Sequence, residues 1–177
     1  MKKILLLGMF LLGGCSFYEN NPTKEVEDFL AKYQTLDEEV LKDLNESANQ
    51  AGTFNEKQKD EYLTIMKKHY QHLRYEIKDE TIDGDNALVK VEIEVDDYSK
   101  ILNEVDEYQT KHEEEFKDDL GNYSETKYMD YRLKAMKNVK ETVKYTLELS
   151  LTKNKDGWKL KKLTPADEQK INGIYNH

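Results

Sequence analysis

The side chains in this sequence that could do chemistry are a single thiol, a histidine pair, a histidine set among acids, and a scatter of aromatic residues. Cys15 is the only cysteine among 177 residues, so no disulfide can form within the chain and all thiol chemistry falls on one position. It directly follows Leu12 and the two small residues Gly13 and Gly14. His69 and His72 stand one helical turn apart, near enough to share a metal ion. His69, however, lies on an apolar stripe, and neither a cysteine nor HExxH spacing accompanies the pair. A partly buried structural pair is the expectation. His112-Glu113-Glu114-Glu115 could attract a cation, but adjacent helical positions diverge by about 100° and do not converge on one ion. No metal site and no cofactor is therefore expected.

Aromatic residues with polar handles need partners when buried, which places some of them at the edge of a cavity. Tyr70, Tyr75, Tyr145 and Trp158 are the candidates for lining a ligand cleft. Acid–base catalysis would need a buried carboxylate beside them. Glu92, Glu94 and Glu148 alternate with apolar residues and should face outward, and the chain has no GxSxG and no phosphate-cradling glycine loop. No catalytic residue is assigned, and an enzyme is not expected.

The first fifteen residues resemble a bacterial lipoprotein signal. Lys2 and Lys3 form a positive start and Ile4 to Leu12 an apolar core, far short of the roughly 20 residues that span a bilayer. The box reads Leu12-Gly13-Gly14-Cys15. The resemblance implies cleavage before Cys15 and a diacylglycerol thioether on it, with residues 1–14 as signal peptide and 15–22 as a lipidated tether. One acyl chain holds a protein only marginally at a membrane, whereas two anchor it stably. The location implied is the extracytoplasmic face of the cell membrane.

Composition narrows the partners. The chain carries 36 acidic residues against 27 Lys and Arg, a net charge of −9. Such a surface argues against nucleic acid, whose phosphates require clustered cations. Twelve tyrosines, five phenylalanines and a tryptophan in regular patterns argue for a packed core rather than disorder.

Periodicity then supplies the elements. Val26, Phe29, Leu30 and Tyr33 mark a helix started by Asn21-Pro22-Thr23. A second, capped by Thr35 with Glu38, should bury Val40, Leu41 and Leu44 before a polar loop from Asn45 to Gly52. A third runs from Tyr62 to Leu73. Tyr75-Glu76-Ile77 and Ala87 to Val95 flank Asp83-Gly84-Asp85 as a hairpin with one apolar face. Asp97 caps a helix that continues past Phe116 to Leu120. Ser124 starts another, with Tyr128, Tyr131, Ala135, Met136 and Val139 on one face. Val143 to Leu151 and Trp158-Lys159-Leu160 form a second hairpin, and Thr164-Pro165-Ala166-Asp167 opens a short last helix.

The fold class expected is α+β, a curved antiparallel sheet of about four strands covered by N-terminal and inserted helices. Residues 23–177 form one domain, with a helical insertion at about 98–140 that either projects or lies over the open end of the sheet. This element order, with the final Lys153-Asn154-Lys155-Asp156-Gly157-Trp158 hairpin, resembles small Gram-positive lipoproteins with a cystatin-like or nuclear-transport-factor-2-like cone. The resemblance implies a non-enzymatic binding or interaction module, anchored to the membrane and holding an envelope protein or small ligand. The alternative is a small-molecule-binding cone with weak catalytic activity.

Overall fold

The computed structural model describes residues 21–50 and 54–176. The signal segment, Cys15 and most of the tether lie outside the described residues. Helix α1 (Pro22–Thr35) starts where Asn21 accepts a 2.7 Å hydrogen bond from the Lys24 amide, and it buries Val26 and Leu30 completely. It ends at Leu36, whose φ of 56° turns the chain left-handed and returns its N–H to Lys32 and Tyr33. Thr35 does not cap the next helix: its hydroxyl donates to Ala31 O inside α1. Asp37 takes that role, accepting from the Glu39 amide at 3.0 Å. Helix α2 (Glu38–Gln50) also runs through the stretch expected as a loop. Asn45 satisfies its amide on Leu41 O, and Ala48, four residues beyond Leu44, is turned into the core.

Helix α3 (Glu56–His72) opens with a reciprocal Asn55–Gln58 capping box. Strands β1 (Arg74–Asp83) and β2 (Asn86–Asp96) turn through Gly84, whose φ of +57° at the first central position is what a type II′ turn requires. Helix α4 (Tyr98–Lys111) is capped by Asp97 and stops well before Leu120. Glu113–Glu115 would have placed three negative charges at the negative end of its dipole. They sit instead in a 3-10 turn, Glu113–Phe116. Helix α5 (Glu125–Lys137) follows its Ser124 cap. Its buried stripe is Met129, Leu133 and Met136, one residue round from the expected face. Strands β3 (Thr142–Asn154) and β4 (Gly157–Leu160) and helix α6 (Pro165–Ile171) complete the chain.

The strands form one open antiparallel sheet in the order β1-β2-β3-β4. Register places Val91 opposite Leu147 and Ile93 opposite Tyr145. These residues share a face with Ala87, Val89, Val95, Leu149 and Leu151, all buried under the helices. The other face is wet and carries cross-strand ion pairs, Lys144–Glu92 at 2.9 Å and Lys90–Glu148 at 3.0 Å. The architecture is the α+β class expected, a sheet with helices on one side. The inserted helices do two things. Tyr98, Leu133 and Met136 join the main core, while Tyr108, Phe116 and Tyr131 at the far end build an aromatic cluster of their own.

Candidate binding cleft

Where β2 gives way to α4, two consecutive acids have separate work. Asp97 caps the helix through the Lys100 amide, at 3.0 Å. Asp96 turns toward α3, where the His69 ring lies fully buried with Nδ1 3.5 Å from Asp96 Oδ2. The opposite ring nitrogen, Nε2, donates to Ile171 O at 2.8 Å. Nδ1 has no hydrogen bond of its own. Tyr98 lies against the ring at 4.9 Å between centroids. Burial resists ionisation of Asp96, but His69, then His72 and Lys68, outweigh it and hold its carboxyl below the usual carboxylate range. Burial, reinforced by the Asp96 charge, pushes the Tyr98 hydroxyl upward.

Asp96 and Tyr98 line an open cleft of about 800 Å³ between α3, the end of α5 and the β2–α4 junction. The α3 wall is a stripe, with Lys57, Glu61, Thr64, Lys68 and His72 recurring every three or four residues. Lys137, Val139 and Lys140 face it, and Ile65, Met136 and Tyr98 supply apolar surface. A smaller cavity of about 340 Å³, touching Phe54, Tyr62, Leu102 and Arg132, lies elsewhere among α3, α4 and α5.

The sequence candidates are placed differently. Tyr70 is buried and donates to Asn172 Oδ1 at 2.7 Å. Tyr145 is buried and donates to Tyr175 O at 2.9 Å. Trp158, on β4, is buried with the Lys153 ammonium 5.8 Å from its ring, and half-buried Tyr75, on β1, pairs with Ile93 of β2. None of the four lines either cavity. The histidine pair splits: His69 is sealed in, while His72 is exposed on the cleft wall. His112 stacks on Tyr108 at 4.1 Å, at the far end of the insertion. Among the described residues no three His, Cys, Asp or Glu side chains are grouped to hold a metal, and no helix is long and apolar enough to cross a membrane.

Asp96 escaped sequence reasoning because its neighbour Asp97 accounts for an acid at that turn. The doubling was the available signal: one cap needs one carboxylate. The cleft lysines were hidden for another reason, since cations on a helix surface are ordinarily a solvated face.

No family model and no curated protein matches the chain. A crystal structure of ycdA, a candidate lipoprotein from Bacillus subtilis subsp. subtilis strain 168, is similar at a TM-score of 0.46 and 16% identity. The match covers 89% of this chain and 48% of ycdA, so this chain spans about half the length of that protein.

Proposed function

We propose that the chain is a lipid-anchored binding module of the bacterial cell envelope, tethered through Cys15 and binding its ligand in the α3–α5 cleft. The cleft carries the binding half of this reading. It is open, mixed in polarity and of a size that suits a small molecule, about 300–1,000 Å³. The Leu12-Gly13-Gly14-Cys15 box carries the anchoring half. Helices over one face of an antiparallel sheet also support the likeness to cystatin-like and nuclear-transport-factor-2-like cones, which are built to enclose a cleft.

One observation favours a second reading, a cone with weak catalysis. Asp96 and Tyr98 at the cleft wall, with the buried His69 ring against them, are an acid–base constellation. Their tuning opposes it. A general base works best with a pKa near the operating pH, whereas Asp96 is held below even the ordinary carboxylate range. Binding is the better-supported role.

The test uses the full chain and a Cys15→Ala variant expressed in a Gram-positive host. The wild type should fractionate with membranes and carry a diacylglycerol mass, and the variant should lose both. A metabolite screen by thermal shift should find a ligand whose effect disappears when Val139→Trp fills the cleft. A membrane-bound Cys15→Ala variant would refute the anchor, and a ligand insensitive to Val139→Trp would refute the site.

A further inference from the structure

We infer that the cleft selects a small organic anion: a carboxylate or phosphate group held by the lysines, with an apolar body lying on Ile65, Met136 and Val139. This rests on the binding role proposed above and adds the chemical class of the ligand.

The cleft lining carries four lysines against three acids, and two of the acids are already occupied. Glu61 is held by Lys137 at 3.2 Å. Asp96 faces the buried Nδ1 of His69. Its Oδ2 lies 3.5 Å from that nitrogen, so this carboxylate is turned into the protein. Asp60 is left against Lys57, Lys68 and Lys140, none of which makes an ion pair among the described residues, with His72 at the end of the stripe. A chain of charge −9 has thus gathered excess cation around a partly apolar floor. The field is independently felt at the base of the cleft, where Lys68 and His72 both help to keep Asp96 ionised.

Alternative ligands fit less well. A cation would meet three ammonium groups at the rim. A neutral apolar molecule would desolvate those groups and offer them nothing in return. An anion with an apolar body answers both surfaces, with the charge supplying orientation and the floor supplying contact area.

The test is calorimetric titration of the full-length lipidated chain in nanodiscs of uncharged lipid, with empty nanodiscs as blank. Three probes share one ring system: 1-naphthyl phosphate, neutral 1-naphthol and cationic 1-naphthylmethylammonium. The phosphate should bind best, and more weakly as salt is raised. Lys68→Glu and Lys140→Glu should each weaken it about tenfold or more, as one charge at about 4 Å in a partly solvated site implies. Lys162→Glu, exposed and outside the cleft, should leave it unchanged. Circular dichroism establishes that each variant is folded. Equal affinity for naphthol and naphthyl phosphate, or indifference to both cleft reversals, overturns the anionic class. Naphthol binding that is lost in Val139→Trp would then keep the cleft while rejecting the anion. Binding of none of the three probes overturns both readings.

Discussion

Gly173 tests whether the segment after α6 is a structural strap across the cleft base. Its φ is +69°, and an alanine Cβ there would fall 2.2 Å from Asp96 O and 3.0 Å from His69 Cε1. The first neighbour is backbone and the second belongs to a fully buried ring tied through Nε2 to Ile171 O, so neither can swing away. The same segment accepts the Ser99 amide on Gly173 O at 2.7 Å and the His69 ring on Ile171 O. Gly173→Ala should cost about 1–2 kcal/mol for the left-handed backbone and a further 1–3 or so for overpacking. Gly84→Ala is the matched control. It shares the positive φ, +57°, but has no atom within 4 Å of the added carbon. The backbone cost is common to both, so at about 2–4 °C per kcal/mol for a chain of this size the overpacking alone should make Gly173→Ala melt roughly 2–12 °C below Gly84→Ala. Calorimetric melts of the two variants and wild type decide it. Equal melting temperatures would mean that the strap yields freely, and the account of His69 as a clamped residue would fail.

Gln58, 1% exposed, joins the start of α3 to α5 through Thr126 O at 3.1 Å and Asp130 Oδ1 at 2.9 Å. Gln58→Ala loses those bonds and the capping box together, and the denaturation midpoint should report a loss of about 2–3 kcal/mol. The depressed pKa of Asp96 stabilises the fold above the ordinary carboxylate range, about pH 4, and that contribution is lost as pH falls through the lower folded value. Asp96→Asn should therefore be less stable at pH 7 and show a flatter decline below pH 4 in urea titrations. Burial, aided by Asp43, Glu168 and Glu39, pushes Tyr33 up to about 12. Its neutral form is the one the fold favours, so its contribution is intact below about pH 10 and lost as pH rises toward about 12. Several tyrosines, Tyr70, Tyr98 and Tyr128 among them, are raised by burial in the same way, so absorbance at 295 nm should show a group of delayed phenols that is smaller by one in Tyr33→Phe.

Strands with one buried face were legible because a period of two has no competitor in Ala87–Val95 or Val143–Leu151, and both are strands on that register. Helices were legible where a short polar side chain has only one use. Asn21, Asp97, Ser124 and Thr164 all cap as their positions suggest. Failures arose where two readings share one pattern. Thr35 and Asp37 both precede α2, and Thr35 spends its hydroxyl within the helix it ends. On α5 the tyrosines at 128 and 131 mimic a core stripe, but they serve the insertion's own aromatic cluster while Met129 and Leu133 face inward. The cleft was invisible for a deeper reason. Its walls come from α3, the end of α5 and a strand end, and no local pattern encodes their meeting. The residues chosen for it in sequence were large aromatics, which in this fold fill the core.

A bulge near Lys78 shifts the register of β1 by one residue and brings Glu80 onto the covered face, opposite Val89. There it accepts from the Thr23 amide at 2.9 Å and hydroxyl at 2.8 Å, pinning the start of α1 to the β1–β2 hairpin end. Asp96 lies seven residues from Val89 along β2, about 23 Å away at a strand's usual rise. Asn21 is six Cα–Cα steps from Cys15, a covalent reach of at most about 22 Å. On the proposed anchor, the hairpin end is therefore the one tied near the bilayer, and the cleft opens at the opposite end of the sheet, toward water. Since Cys15 is the sole thiol and would be consumed by lipid, an introduced cysteine gives a unique label. A fluorophore at Ile82→Cys, on a side chain 52% exposed beside the hairpin, should be quenched strongly by headgroup-labelled lipid. The same fluorophore at Lys140→Cys should be quenched weakly. Equal quenching at the two sites would mean that the cleft rests on the membrane, and its ligand would then have to arrive from the bilayer.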